Sequence, residues 1–313
     1  MNNGPRRRDL LALAGVGLAL PALAQPSMTL RLIVGAPRGT GTDRWARGFA
    51  PFLERHWPRS SVSLVSQPGE GGLAAARSLL AAPPDGQTIG LASVPSLIAR
   101  IVERGETDLL DRLVFVAAVT EEPVVLVAPP GTDFAALRLY GGRGFMGCPP
   151  PGSAGQLVAV ELANTLPLTP LSFPNATAAR QAVLAGNLAA ALLLLPDVLS
   201  ALREERLVAL AAGPTERSPL LPEVPSFAER GLPAPFYARR GCMLPHGVPA
   251  DLQAKLERSL RAVVTDPEFV AQGAETGFRP RFIAGESWTA ELRTIAQRLN
   301  ARWSRTPWIV LRD

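Results

Sequence analysis

Short apolar runs alternate with stretches of helical periodicity along most of the chain, and glycine or proline stands at the joins. Runs at residues 31–35, 88–92, 114–119 and 124–128 have the length and bounds of strands. After the first of them Trp45, Phe49, Phe52 and Leu53 recur at helical spacing, so a helix follows, although Gly48 and Pro51 weaken it. A second set begins beyond the turn Pro129-Pro130-Gly131, with a strand at 144–148, helices at 153–165 and 176–186, and a strand at 207–212. The apolar run 188–195 is far short of the roughly 20 residues that span a bilayer and reads as a buried strand. Past Pro249 the pattern changes to long amphipathic helices, with Leu252, Leu256 and Leu260 four apart and Leu292, Ala296 and Leu299 close to that spacing. Such helices are predicted to pack back on a sheet. Alternation of this kind predicts an α/β protein whose sheets are mostly parallel and flanked by helices. Neither sustained heptads nor a repeat of fixed period occurs, which excludes coiled coils and solenoids.

One segment stands apart from the alternation. Arg6, Arg7 and Arg8 lead into an uncharged run from Leu10 to Ala24, too short for an anchor and interrupted by Gly15, Gly17 and Pro21. It reads as an export signal, cleaved after Ala24 to leave Gln25 and to place the mature protein in the periplasm. Arg7-Arg8-Asp9-Leu10-Leu11 fits a twin-arginine (Tat) signal as well as a general secretory (Sec) one, and both routes stay open. Cleavage removes three arginines and one aspartate, so the net charge of +5 falls to +3. No run of five basic residues occurs, and nucleic acid is excluded as a partner. Cys148 and Cys242 permit at most one disulfide, and burial as two small apolar residues is the simpler reading.

Candidate chemistry gathers at glycine-bearing turns that open helices. Gly35-Ala36-Pro37-Arg38-Gly39-Thr40-Gly41-Thr42-Asp43 joins the first strand to the first helix, where free backbone N–H groups and the helix dipole favour an anion. It lacks the Gly-Lys-Ser/Thr ending of a P-loop, and Arg44 stands where a dinucleotide fingerprint needs its third glycine. Gln67-Pro68-Gly69-Glu70-Gly71-Gly72 opens the helix 73–80, and Pro149-Pro150-Pro151-Gly152-Ser153-Ala154-Gly155-Gln156 does the same in the second half. These turns face one another if the two halves enclose a cleft. Enzymatic groups are scarce. His56 and His246 have no metal spacing and no adjacent nucleophile, and Pro151 replaces the first glycine of a nucleophile elbow around Ser153. No catalytic residue, metal or cofactor is assigned.

In order and spacing, Ala36-Pro37, Gly39, Gly41-Thr42-Asp43 and Ala46-Arg47, then Pro68-Gly69, Gly71-Gly72, then Pro83-Pro84-Asp85-Gly86 and Thr88 resemble the periplasmic solute receptors of tripartite tricarboxylate transporters, the Bug family. Gly152-Ser153, Gln156-Leu157, Arg217-Ser218-Pro219 and Leu221-Pro222-Glu223-Val224-Pro225 continue the resemblance to about Trp303. It implies a two-lobed Venus-flytrap fold, with lobe 1 formed by residues 25–127 and 238–313 and lobe 2 inserted at 128–237. It also implies a monomer that closes over a small carboxylate and delivers it to membrane transporter subunits. The rival reading is a sensor whose closed form docks on a membrane signalling partner.

By this resemblance Pro37, Gly39, Thr40, Gly41 and Thr42 of the first loop and Gly152, Ser153 and Gln156 of the second bind the ligand, and Gln67 lines the cleft. Gln67, Gln156 and Phe173 stand where relatives carry asparagine, histidine and tyrosine, and the family's acidic positions fall on Ala189 and Leu193. Asp197, a few residues on, is the candidate replacement. Asp43 and Arg47 are expected to support the first loop without touching the ligand.

Overall fold

The computed structural model describes residues 28–213, 215–233 and 237–308. The expected signal segment 1–24 and its cleavage point after Ala24 lie outside the described residues. The chain begins with β1 (Met28–Val34), α1 (Gly41–His56), β2 (Ser60–Ser66), α2 (Leu73–Leu80), β3 (Thr88–Val94), α3 (Ser96–Arg104), α4 (Leu109–Arg112) and β4 (Leu113–Glu122). A middle stretch follows: β5 (Val124–Ala128), α5 (Phe134–Leu139), β6 (Gly144–Cys148), α6 (Ala154–Leu162), β7 (Leu168–Ser172), α7 (Ala176–Leu184), β8 (Ala190–Leu194), α8 (Leu195–Arg203) and β9 (Val208–Ala212). The chain closes with β10 (Ala238–Pro245), α9 (Ala250–Thr265), α10 (Pro267–Thr276), β11 (Arg279–Ala284) and α11 (Gly285–Trp303). No described helix is long and apolar enough to cross a membrane.

Two sheets result, one in each lobe. Lobe 1 holds six strands in the order β11-β4-β10-β3-β1-β2, and lobe 2 five in the order β7-β6-β8-β5-β9. Both are mixed: β10 and β11 run against the other four strands of the first sheet, and β5 runs against the other four of the second, so most strands of each sheet run one way. The β–α–β units give parallel pairs, β1 with β2 and β3, and β6 with β7 and β8. The strands that carry the chain between lobes enter antiparallel: β10 beside β3 and β4, and β5 beside β8 and β9. Only Pro123 separates β4 in the first sheet from β5 in the second. The return enters β10 at Ala238, which pairs with Glu122.

Burial explains the elements. Helix α1 buries Trp45, Ala46, Phe49, Ala50 and Leu53 along one face, while Pro51 is exposed. An interior proline costs about 3 kcal/mol and a glycine about 1. Each buried Phe or Leu returns about 1.5–3 kcal/mol, so the face prevails. At Gly48 an added Cβ would lie 2.4 Å from Gln272 Nε2 on α10, a contact that the glutamine side chain relieves by turning aside. Strand β8 is central in its sheet, and four of its five residues are buried, which accounts for the unbroken apolar run. The closing helices α9 and α11 pack on opposite faces of β4: Leu256, Leu260 and Val263 join Val116 and Val119, and Trp288 and Leu292 join Phe115 and Ala118. Cys148 on β6 and Cys242 on β10 belong to different sheets, and both are buried and free.

Candidate functional site

The loops before α1 and α6 share one local geometry. Thr40 N–H donates to Pro37 O at 3.3 Å, and Ser153 N–H donates to Pro150 O at 3.1 Å. The third residue of each turn is a glycine with left-handed backbone, Gly39 at φ +79° and Gly152 at φ +78°. A side chain in the first turn of each helix then reaches back. Asp43 Oδ2 accepts from Gly39 N–H at 2.9 Å, and Gln156 Oε1 accepts from Gly152 N–H at 3.0 Å. Asp43 is braced by Arg47 through contacts of 2.9 and 3.1 Å, and these bonds hold its carboxyl below the usual range. The N–H groups of Gly41 and Thr42, and those of Ala154 and Gly155, lie in helix first turns, where the helix itself offers no acceptor.

Both helix starts open on one chamber between the lobes. It measures about 120 Å³, and Thr42, Ser93, Ser96, Ser153, Ala154 and Gly155 line it. A larger chamber of about 470 Å³ shares Glu122, Asp197 and Arg240 with the first. Its remaining walls include Gly41, Arg44 and Trp45 of α1, Pro196 and Leu199 of α8, and Phe278. A recess of about 140 Å³ adjoins Thr42, Ser93 and Ser96 and reaches Gly71 and Gly72.

Paired hinge strands set the charge of the cleft. Arg239 lies opposite Glu121 in the β10–β4 register, and the pair closes at 2.9 Å on one face. The alternation of side chains along a strand sends Arg240 and Glu122 to the other face, where they form a buried ion pair. The Arg240 guanidinium lies 5.4 Å from the centre of the Trp45 ring, and burial pulls its pKa down to about 9, so it stays cationic at neutral pH. Burial pushes Asp197 up to about 6, against the opposing pull of Arg180 and Arg44.

Contacts bridge the lobes on both flanks of the cleft. On one, Arg100 donates to Pro151 O at 2.6 Å and Gln156 Nε2 donates to Trp308 O at 2.9 Å, while Trp308 Nε1 is anchored within lobe 1 by donating to Glu103 at 2.5 Å. On the other, Arg203 of α8 donates to the carbonyls of Glu275 and Ala274 at 2.9 and 3.0 Å.

Of the residues predicted to bind ligand, Gly41, Thr42, Ser153 and Asp197 line the chambers. Pro37, Gly39 and Thr40 form the turn behind them, and the Thr40 hydroxyl donates to Pro37 O at 2.7 Å. Gln67 is exposed, and Gly71 and Gly72 of its turn reach the recess instead. Gly152 abuts the opposite lobe, where an added Cβ would sit 3.2 Å from that of Ala99. Gln156 is buried with its amide spent on Gly152 and Trp308, and Phe173 packs into the lobe 2 core. Sequence reasoning missed Glu122, Arg240, Trp45, Ser93 and Ser96. The available signal was the doublets Glu121-Glu122 and Arg239-Arg240, charges set at the ends of apolar strands. His56 pairs with Asp266 at 2.8 Å within lobe 1, and no metal-holding cluster of His, Cys, Asp or Glu occurs among the described residues.

A family model described as tripartite tricarboxylate transporter family receptor matches residues 60–305. Protein BugT of Bordetella pertussis is 27% identical over 284 residues, covering 84% of this chain and 86% of its own. MatC from Rhodopseudomonas palustris, solved with bound malate, superposes with a TM-score of 0.73 at 22% identity, covering 88% of this chain and 99% of MatC. A second R. palustris protein, solved with adipate, gives 0.73 at 23% identity, covering 90% and 96%.

Proposed function

The chain belongs to the tripartite tricarboxylate transporter receptor family, and on that premise we infer that it is an exported, periplasmic receptor that closes over a small organic carboxylate and delivers it to a membrane transporter. The observation that carries this reading is the pair of helix starts, one from each lobe, that bound a single small chamber. Each first turn offers N–H donors and the positive end of a helix dipole to an anion. A carboxylate between them is held by Thr42 N–H from lobe 1 and by Ala154 and Gly155 N–H from lobe 2, with the Ser153 hydroxyl beside it. Because the ligand touches both lobes, it binds the closed arrangement more tightly than an open one and shifts the population towards closure. No covalent step is involved. Division of the chain into lobes at Pro123 and Tyr237, and action as a monomer, belong to the same reading.

The mature chain from Gln25, unfolded and refolded to strip bound ligand, tests it by tryptophan fluorescence and thermal shift against a panel of carboxylates. A saturable response to one class is expected. Ala154→Pro removes one helix N–H at the first helical position, where proline is tolerated, and Ser153 (φ −71°, ψ 156°) already has the extended backbone that precedes proline. That variant is expected to fold and to bind about ten- to a hundredfold more weakly. Undiminished affinity in Ala154→Pro overturns the two-helix site.

A further inference from the structure

Two carboxylates line the small chamber, Glu122 and Asp197. Glu122 is closed on Arg240 in a buried ion pair. Asp197 closes no ion pair, and its side chain accepts no hydrogen bond from the described residues; Arg180 donates to its backbone carbonyl instead, at 2.7 Å. Asp197 also keeps part of its surface accessible within the cleft. Its Oδ1 lies beside the start of α1, since a Cβ on Gly41 would stand 3.6 Å from it. At about 120 Å³ the chamber has the liquid volume of about four waters, so a carboxylate held between the two helix starts adjoins that of Asp197. Two carboxyls that share so small a site cannot both stay ionised without a large penalty, and one of them is driven to hold a proton.

The surrounding charges do not remove that conflict. Around Asp197 stand Arg180 on α7, Arg44 on α1, Glu122 on β4, Arg239 and Arg240 on β10, Glu275 on α10, and Arg203 and Glu204 further along α8. Arg239 is taken up by Glu121 and Glu291, Arg240 by Glu122, Glu204 by Arg206, and Arg203 by two carbonyls of α10. Arg180 and Arg44 favour the charged form of Asp197, yet burial outweighs them and lifts its pKa to about 6 before any anion enters. The first turn of α8, where Asp197 stands, adds about half a positive charge, less than the full negative charge that a ligand carboxylate brings.

We propose, resting on the carboxylate-receptor reading, that the ligand's carboxylate is captured together with one proton from solvent, which is held on Asp197 and donated as a hydrogen bond to the ligand anion. A buffer acid or hydronium gives up the proton, an Asp197 oxygen gains an O–H, and no bond forms between protein and ligand. An ammonium group on the ligand would pair with Asp197 without a proton, but Arg180 and Arg44 repel it there. The bound-state pKa of Asp197 lies above the free-state one, so affinity is greatest at low pH and is lost as pH rises through the bound-state value.

Calorimetric titration of the refolded mature chain with acetate, benzoate, malate, adipate and glycine tests this, in PIPES and in imidazole, whose different ionisation enthalpies reveal the proton count. Near neutral pH an acid that binds is expected to take up close to one proton per ligand, and to lose about tenfold in affinity between about pH 6.5 and 8. Asp197→Asn, whose amide donates at every pH, is expected to take up no proton, to lose the pH slope, and to bind at the alkaline end at least as tightly as the parent. Glycine, which is acetate with an added ammonium group, is expected to bind more weakly than acetate. The proton count of the parent stands whether or not the variant folds. Binding by the parent with no proton taken up overturns the proposal while the carboxylate site stands. A pH slope kept in Asp197→Asn shown to be folded by circular dichroism, or glycine bound more tightly than acetate, does the same. No binding by any of the five, in protein shown to be refolded, overturns the carboxylate reading and this proposal with it.

Discussion

In the loop before α1 the glycine N–H is accepted by a carboxylate, Asp43, braced by Arg47 four residues on in the same helix. In the loop before α6 it is accepted by an amide, Gln156, braced by the backbone carbonyl of Trp308 at the far end of the chain. Turn geometry and glycine conformation are otherwise the same. The lobe 1 loop is therefore complete within about ten residues of sequence. The lobe 2 loop takes its last hydrogen bond from the opposite lobe, so its shape is tied to how the lobes meet. Two loops with one backbone can thus differ in what holds them: one is a local structure, the other a readout of tertiary packing.

The contrast can be broken most forcefully at Asp43. Asp43→Ala leaves Gly39 N–H and Arg47 without their acceptor and is expected to cost about 2–3 kcal/mol in denaturant unfolding, since hydrogen bonds to charged groups are worth about twice neutral ones. An equal loss in Gln156→Ala, expected at about 1–2 kcal/mol, would erase the distinction between charged and neutral acceptor. A cycle combining each substitution with removal of residues 304–313 sharpens it. Gln156→Ala is expected to couple to the tail by about 1 kcal/mol, and Asp43→Ala to add to it within about 0.5 kcal/mol.

The smallest effect is one of pH. The Asp43 carboxyl is held below its ordinary 3.8, so its stabilisation is full above that value and is lost as pH falls through the lowered folded-state value. Stability of Asp43→Asn relative to the parent is expected to show a gap that is constant near neutral pH and closes only under acid conditions. Gln156 does not titrate, and the gap for Gln156→Ala should show no such closure.

The same contrast marks what was legible in the amino-acid sequence. Strands β5 and β6 and helix α2 match their expected bounds, because continuous apolar runs and glycine breaks are local signals. Strand β10 went unseen, since Arg239 and Arg240 disguise an otherwise buried strand, and β7, an edge strand with Pro170, has only one buried residue. The antiparallel entry of β5 and β10 escaped notice because pairing direction depends on which sheet each strand joins, and Pro123 alone separates β4 of one sheet from β5 of the other. At the site, Thr42 and Ser153 follow from their place at helix starts. Gln156 did not, because its partner lies 152 residues away and is a backbone carbonyl. Glu122 and Arg240 carry no motif, and only the strand register brings them together.

The position of Trp308 bears on where this protein can be cut. The family match ends at residue 305, and every residue lining the three cavities of the cleft lies before that point. A chain ended at residue 305 would keep every residue that lines those cavities. It would also discard the indole that meets Glu103 and the carbonyl that meets Gln156, so the boundary of recognisable sequence falls short of the boundary of the folded unit.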